Sequence, residues 1–244
     1  MNIQLNHGDC LDVMQGIPDK SIDMILCDLP YGTTACKWDV VIPFEPLWKE
    51  YNRIIKDRGC IALFGSEPFS SHLRMSNIKD YKYDWIWEKE QGSNYATVKT
   101  RPFIINENIA IFNSVFYYPI KEKGKKYKDT ARKRNLKHSI GESIKNPIVN
   151  NGERFPVNIL FYVNDNKSGV SFHPTQKPVS LLEYLIKTYT LENETVLDNC
   201  MGSGSTGVAC INTGRNFIGI EKDPEYFKIA KNRIDEVKSQ LRLF

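Results

Sequence analysis

Apolar and polar residues alternate along this chain in a way that predicts strands and helices following one another. Residues 22–27, IDMILC, are a short apolar run between turn-forming residues, so we predict a buried strand that ends at Asp28. Residues 44–59 space their apolar positions as an amphipathic helix does, and Gly59 is predicted to close it. Further strands are predicted at GCIALFGS, YDWIWEKE and ENIAIFNS.

The alternation returns near the end of the chain. Pro178 begins a predicted helix that runs to about Thr190, and the strand TVLDN, a glycine loop, a helix from about Ser205, the strand NFIGIE and a charged helix from about Pro224 follow. Strands alternating with helices are typical of an α/β fold built on βαβ units. Residues 120–170 break the pattern with scattered Lys, Gly, Asn and Ser.

Composition indicates a soluble protein of ordinary type. The chain of 244 residues is 41% hydrophobic and 25% charged, with no apolar run long enough for a membrane span and no apolar leader at its start, so we expect a cytoplasmic protein. Its six cysteines show no C-x-x-C spacing, which disfavours a zinc site or a disulfide framework. We therefore predict no metal and read the cysteines as small buried side chains.

Charge is concentrated in one segment. Residues 121–145 contain ten Lys or Arg and three acids, whereas the whole chain carries a net charge of +4. A nearly neutral body with one basic segment fits a site for a polyanion, although a solvated loop would have the same composition.

The stretch Asp28-Leu29-Pro30-Tyr31-Gly32 follows the first predicted strand. In open α/β sheets ligands bind at the carboxyl ends of the strands, so an acid followed by an aromatic ring at this edge indicates a site for a flat, polar ligand. A capped strand with a proline turn is the simpler interpretation of this stretch alone.

The stretch VLDNCMGSGSTG has the features of a nucleotide-type cofactor site. Gly202 and Gly204 let the backbone approach a ligand between a strand and a helix. Glu221 follows nineteen residues after Gly202, at the end of the next strand, where an acid suits ribose hydroxyls. Too little chain follows this loop to build a sheet, so we predict a circularly permuted one in which Asp9, Asp28, Asp198 and Glu221 line one crevice.

With these stretches, HGDCLDVM and FHPTQKP complete a set of motifs that resembles the beta class of DNA amino-methyltransferases, which use S-adenosylmethionine (SAM). The resemblance implies a Rossmann-like, SAM-dependent methyltransferase fold that is circularly permuted and carries a small inserted target-recognition region. It implies a catalytic half at residues 1–114, a basic insert at 115–165 and a SAM-binding half at 166–244.

The resemblance assigns catalysis to Asp28, Leu29, Pro30 and Tyr31. Leu29 stands where the family usually has proline, but the role implied there belongs to the backbone carbonyl. Asn199-Cys200 replaces the usual Pro-Phe of the cofactor motif, which leaves the packing beside the cofactor open.

The remaining implied site residues fall into two groups. The cofactor-binding residues are Asp9, Thr175, Lys177, Asp198, Gly202, Gly204, Ser205, Thr206 and Glu221, with Thr175 and Lys177 expected at the methionine end of SAM. The DNA-binding residues are Lys123, Lys125, Lys126, Lys128, Arg132, Lys133, Arg134 and Lys137, which suit phosphates rather than base edges.

The predicted function is transfer of a methyl group from SAM to adenine N6 in double-stranded DNA, with base flipping and a role in restriction-modification. Relatives that act on cytosine N4 usually carry Ser at the position of Asp28, and the sequence has no Pro-Cys pair of the kind that cytosine C5 chemistry requires. Cytosine N4 methylation, a catalytically silent DNA-binding relative and an NAD-dependent oxidoreductase are the alternatives. A bacterial or phage source, a monomer or a homodimer, and the recognition sequence stay open.

Overall fold

The computed structural model describes residues 1–33, 39–92, 94–129, 148–163 and 176–241. Its strands are, in chain order, β1 (Ile3–His7), β2 (Ile22–Asp28), β3 (Ile55–Gly65), β4 (Tyr81–Glu88), β5 (Asn106–Phe112), β6 (Glu122–Lys123), β7 (Tyr127–Asp129), β8 (Ile148–Asn150), β9 (Glu153–Arg154), β10 (Ile159–Phe161), β11 (Thr195–Asp198) and β12 (Asn216–Glu221). Its α-helices are α1 (Cys10–Met14), α2 (Phe44–Ile54), α3 (Phe69–Ser76), α4 (Val179–Tyr189), α5 (Ser205–Asn212) and α6 (Pro224–Leu241).

One mixed sheet of eight strands organises the larger unit of the described chain. Its order is β1-β12-β11-β2-β3-β5-β4-β10. The pairs from β1 to β3 are parallel, whereas β5 runs antiparallel to both β3 and β4. The amino end of β5 therefore lies at the same edge as the carboxyl ends of β2 and β3.

Helices cover both faces of this sheet. Side chains of α1, α2 and α3 belong to one buried apolar cluster, and side chains of α4, α5 and α6 belong to another. Strand β2 shows why, because Met24 and Leu26 join one cluster while Ile25 and Cys27 join the other. Fully burying an aliphatic side chain of this size contributes roughly 1.5–3 kcal/mol. None of the helices in the described ranges has the length and apolar character to cross a membrane.

The predicted strands are present, but the prediction for the first long helix is wrong at its end. Helix α2 stops at Ile54, and residues up to Gly59 already belong to β3, where Ile55 pairs with Ile22 of β2. The apolar spacing over Leu47, Tyr51 and Ile54 is helical, but pairing with β2 takes over at Ile55. Helix α4 begins one residue later than predicted, with Pro178 as its N-cap.

A second compact unit comprises Pro119–Val157. Within its described residues, β6 pairs with β9 and β7 pairs with β8, both antiparallel. Lys121 forms an ion pair of 2.6 Å with Glu153, and the guanidinium of Arg154 lies over the ring of Tyr127.

The division at residues 1–114, 115–165 and 166–244 stays a prediction. Residues 119–157 of the compact unit lie inside the proposed insert, but β10, which the insert also includes, belongs to the larger unit and pairs with β4 in the main sheet.

Candidate active site

The carboxyl ends of four neighbouring parallel strands meet at a cavity of about 560 Å³. The segments at the ends of β1, β2, β11 and β12 bring Asp9, Asp28, Asp198 and Glu221 to its wall. The structure thus places on one surface the four acids that the sequence puts at strand ends. This edge is where open α/β sheets bind ligands, so the cavity is the candidate active site.

A buried carboxylate holds the loop that follows β2. Asp39 accepts hydrogen bonds from the backbone amides of Tyr31 at 2.8 Å, Gly32 at 2.9 Å and Thr33 at 2.9 Å. Three N–H donors on one carboxylate are strong, charge-assisted contacts. They fix the backbone immediately after Asp28.

The other residues of this loop also face the cavity. Leu29 is buried, and Leu29, Pro30 and Tyr31 all line the cavity wall. The ring of Tyr31 stacks on Phe69 with centroids 4.9 Å apart. An aromatic ring held in this way has little freedom to turn away from a ligand.

Both carboxylate oxygens of Asp28 have a donor. The hydroxyl of Tyr31 donates to Oδ1 at 2.5 Å, and the ammonium of Lys177 is hydrogen-bonded to Oδ2. Lys177 is buried, and its Nζ lies 5.2 Å from the ring centroid of Phe64. The lysine that the sequence assigns to the methionine end of SAM therefore contacts the candidate catalytic acid.

A second acid, Glu107, completes this charged cluster. Its Oε1 accepts from Lys89 at 2.6 Å, and its Oε2 lies 3.5 Å from Lys177 Nζ. Burial opposes the charge on both Glu107 and Lys177, but their ionic partners outweigh it. The pKa of Glu107 is therefore lowered and the pKa of Lys177 is raised.

Asp198 has different surroundings on the neighbouring strand. The hydroxyl of Thr206 donates to its Oδ2 at 2.6 Å, and the amide of Cys200 donates to its Oδ1 at 3.1 Å. Burial raises the pKa of Asp198 from its ordinary 3.8 to about 6, and the nearby Asp28 adds to the rise.

Glu221 is held by backbone amides. Gly202 N–H donates to its Oε2 at 2.9 Å and Asp223 N–H donates to its Oε1 at 2.8 Å, while burial raises its pKa. Carboxylate oxygens have two lone pairs each, so both can accept further hydrogen bonds.

Asp9 has both a structural contact and an ionic one. It caps α1 through the amide of Leu11 at 3.0 Å and accepts from Lys222 at 2.9 Å. The hydrogen bond from Lys222 holds the pKa of Asp9 below its usual value.

The glycine loop serves packing as well as the cavity. Gly204 has a φ of +79°, and a Cβ placed there would meet Ala230 of α6 at 3.0 Å. Gly202, Ser205 and Thr206 line the cavity, but Gly204 does not. Backbone conformation and the close approach of α6 both favour glycine at position 204, and its assignment to the cofactor stays a prediction.

Ser205 stands at the start of α5 and is already bonded from the last helix. Arg233 Nη1 donates to its hydroxyl oxygen at 2.9 Å. Because the oxygen accepts this hydrogen bond, the O–H group can still donate one to another acceptor.

The Asn199-Cys200 pair, which departs from the family pattern, has its own contacts. The hydroxyl of Tyr51 donates to Asn199 Oδ1 at 2.5 Å, and the side chains of Tyr51 and Asn199 are buried. The described cysteines are all free thiols, and burial raises the pKa of Cys27 to about 12.

Some predicted site residues lie elsewhere. Lys123, Lys125, Lys126 and Lys128 are exposed in the second compact unit. Thr175, Arg132, Lys133, Arg134 and Lys137 lie outside the described residues. Within the described ranges, no group of three His, Cys, Asp or Glu side chains is arranged to hold a metal ion.

Sequence reasoning missed Glu107, Lys89 and Asp39. Glu107 is part of the predicted strand ENIAIFNS, and its acidic side chain beside an apolar run was a usable signal. Its position at the active edge depends on β5 being antiparallel to β3, which the sequence pattern does not reveal.

Comparisons with known proteins agree with this geometry. Residues 22–232 match the model of the N6_N4_Mtase family, described as DNA methylase. The type II methyltransferase M.HinfI of Haemophilus influenzae is 29% identical, over 95% of this chain and 68% of that protein. The DNA adenine methyltransferase YhdJ of Escherichia coli (strain K12) is 28% identical, over 94% of this chain and 81% of that protein.

A solved structure extends the likeness to the fold. The complex of M1.HpyAVI with SAM matches with a TM-score of 0.64 and 26% identity, over 95% of this chain and 99% of that one. The predicted fold class and the predicted family are confirmed. This chain belongs to the N6_N4_Mtase family of DNA methylases.

Proposed function

We propose that this protein transfers a methyl group from SAM to the N6 amino group of adenine in DNA. The observation that carries the proposal is the rigid Asp28-Leu29-Pro30-Tyr31 loop, which shares one cavity with the glycine loop and Glu221. YhdJ is named as a DNA adenine methyltransferase, and M1.HpyAVI was solved with SAM. M.HinfI is named as a type II methyltransferase, so a place in a restriction-modification system is part of the proposal.

Asp28 and Leu29 would activate the target. The amino group of adenine is a poor nucleophile because its lone pair is delocalised into the ring. The Asp28 carboxylate and the Leu29 carbonyl would each accept one N–H, which favours a pyramidal nitrogen with its lone pair directed at the methyl group. Pro30 stiffens the turn that aims the carbonyl, and Tyr31 offers a ring for the flipped base.

The cavity fits SAM on the chemistry of its donors and acceptors. When bound, SAM supplies an electrophilic methyl group on a sulfonium. Glu221 and the Gly202 backbone suit its ribose, and the hydroxyls of Ser205 and Thr206 suit its carboxylate. Asp9, Lys177, Asp198, Thr175 and Gly204 complete the proposed set of cofactor-binding residues.

DNA is the proposed macromolecular substrate. Lys123, Lys125, Lys126 and Lys128 would neutralise phosphates, together with Arg132, Lys133, Arg134 and Lys137, which lie outside the described residues. The relatives in Haemophilus influenzae and Escherichia coli favour a bacterial cell, with the cytoplasm as the compartment that holds its DNA. A homodimer stays a prediction that sedimentation would test.

The test is methyl transfer from labelled SAM to unmethylated duplex DNA of many sequences, followed by digestion and mass analysis of the nucleosides. N6-methyladenine is expected. N4-methylcytosine alone would refute the assignment of adenine while keeping the family. A melting temperature raised by NAD and not by SAM would refute the cofactor.

A further inference from the structure

Each carboxylate oxygen of Asp28 already accepts one hydrogen bond, from Tyr31 at Oδ1 and from Lys177 at Oδ2. Under the proposed function, the target amino group needs one of these oxygens as its acceptor. Each oxygen has a second lone pair, but the ammonium of Lys177 neutralises the charge that would activate the amino group, so the amino group competes with Lys177 for Asp28. Lys177 is the charged donor of the two. Its movement away from Asp28 therefore needs a second acceptor.

A buried ammonium cannot be left without a counter-ion, because an unpaired charge in the interior is strongly unfavourable. Lys177 is buried, with Asp28 on β2, Glu107 on β5 and the ring of Phe64 on β3 around its Nζ. Among the described residues, Glu107 is the acid besides Asp28 that lies within ion-pair distance of this ammonium, so it is the protein's own acceptor for a movement away from Asp28.

Glu107 is arranged to receive it. Lys89, which follows β4, holds Oε1 at 2.6 Å, whereas Oε2 is buried and makes no hydrogen bond to any described residue. Lys177 Nζ lies 3.5 Å from this oxygen, so a small movement of the ammonium would bring the two atoms within hydrogen-bond distance. The two lysines and two acids stay balanced in charge before and after the shift.

We propose that Glu107 is a positioning residue for methyl transfer, whose Oε2 takes the Lys177 ammonium when the target amino group displaces it from Asp28. The inference rests on the proposed function. Glu107 acts through Lys177 and does not contact the reacting atoms. Its loss would leave Lys177 on Asp28, where the ammonium competes with the target amino group for the carboxylate.

Asp84 supplies a matched control. It lies on β4, forms an ion pair of 3.0 Å with Arg74, and also has one buried oxygen that makes no hydrogen bond to a described residue. Unlike Glu107, Asp84 does not line the cavity. Asp84→Asn therefore repeats the loss of a buried charge without touching the cluster around Lys177.

The experiment measures kcat with labelled SAM at saturation and duplex DNA, on the full chain. Glu107→Gln is expected to lower kcat at least tenfold and to leave the Kd for SAM within about threefold, whereas Asp84→Asn keeps kcat within about twofold. In Glu107→Gln, kcat should rise with pH, because Lys177 without its second counter-ion loses its proton more easily and then releases Asp28. The wild type should show no such rise over the same range.

The deciding comparison repeats Glu107→Gln in a Lys177→Met background. Because Glu107 acts through Lys177, adding Glu107→Gln to Lys177→Met should change kcat by less than about twofold. The comparison of Lys177→Met with the double variant still decides the question if Glu107→Gln alone does not fold. In the double variant the charged groups left in the cluster are Asp28 and Lys89, which balance each other. A further tenfold loss in the Lys177→Met background, or wild-type kcat in Glu107→Gln, would overturn the inference. A wild type that methylates no DNA would instead overturn the proposed function, and this inference with it.

Discussion

Two neighbouring strands, β2 and β11, each end in an aspartate, and the protein surrounds the two carboxylates in opposite ways. Asp28 meets the ammonium of Lys177 and the hydroxyl of Tyr31. Asp198 meets neutral donors among the described residues, and burial raises its pKa to about 6. The same residue type at the same edge is thus held by charge on one side of the cavity and by neutral hydrogen bonds on the other.

The difference separates what a strand end provides from what the rest of the fold provides. A strand end places an acid, but the partner of that acid sets its chemistry. Lys177 is 149 positions from Asp28 in the chain and comes from the segment just before α4. The charged side suits activation of a target group, and the neutral side suits a bound cofactor that brings its own positive charge.

Asp28→Ala should break the comparison most strongly. Removing the acceptor for the target amino group should lower kcat by about 10²–10³, because electrostatic contacts made in the transition state have effects of this size. The Kd for SAM should change little, since the carboxylate is assigned to the target. Both quantities are measured on one preparation, with the exposed Asp57→Ala as the control. A weaker affinity for SAM, with kcat at saturating SAM unchanged, would reverse the roles assigned to the two sides of the cavity.

Asp39→Ala should have the next largest effect, although Asp39 contacts no substrate in this proposal. Three amides of the loop would lose their acceptor, so the position of Tyr31 would no longer be fixed. We expect kcat to fall about tenfold and the melting temperature to drop, because the loop loses hydrogen bonds to a charged group, which contribute about 1.5–3 kcal/mol each. Asp39→Asn, which keeps one acceptor oxygen, should lie between the variant and the wild type. Equal kcat in all three proteins would show that the loop needs no anchor.

The parts of the fold and site that the sequence predicted depend on local signals. The run from Ile22 to Cys27 is apolar throughout and ends in Asp28, so both the strand and its acid could be located. The glycine loop could be located for the same reason, because Gly202, Gly204 and the acid at Glu221 lie within one βαβ unit.

The parts that the sequence did not predict depend on pairing between distant segments. Nothing in the pattern ENIAIF tells whether the strand is parallel, and only an antiparallel β5 brings Glu107 to Asp28 and Lys177. The end of α2 was placed too late because Ile55 fits a helix as well as a strand until β2 pairs with it. Asp39 carries no local signal at all, since its role comes from the amides it meets.

Glu221→Ala should sharpen the comparison from the cofactor side. It removes the acceptor proposed for the ribose and also leaves the amides of Gly202 and Asp223 without their partner. We expect the Kd for SAM, measured by calorimetry, to rise about tenfold, which corresponds to about 1.4 kcal/mol. Transfer at saturating SAM should stay within a few fold of the wild type. Glu225→Ala, an exposed acid at the start of α6, is the control, and equal affinities in the two variants would refute the ribose assignment.

Asp198→Asn tests stability, and the sign of its effect follows from the raised pKa of Asp198. Between about pH 4 and pH 6, folded Asp198 keeps a proton that the unfolded chain releases, so this group stabilises the fold at low pH and loses that contribution as the pH rises to 6. The loss is about 3 kcal/mol, since each pKa unit corresponds to about 1.4 kcal/mol. An amide does not titrate, so the stability of Asp198→Asn relative to the wild type should rise over this window and stay level above it. Urea unfolding of both proteins from pH 4 to pH 8 measures the difference, with the exposed Asp12→Asn as the control. A difference that does not vary with pH would mean that folding does not raise the pKa of Asp198, and the contrast with Asp28 would then lie in geometry alone.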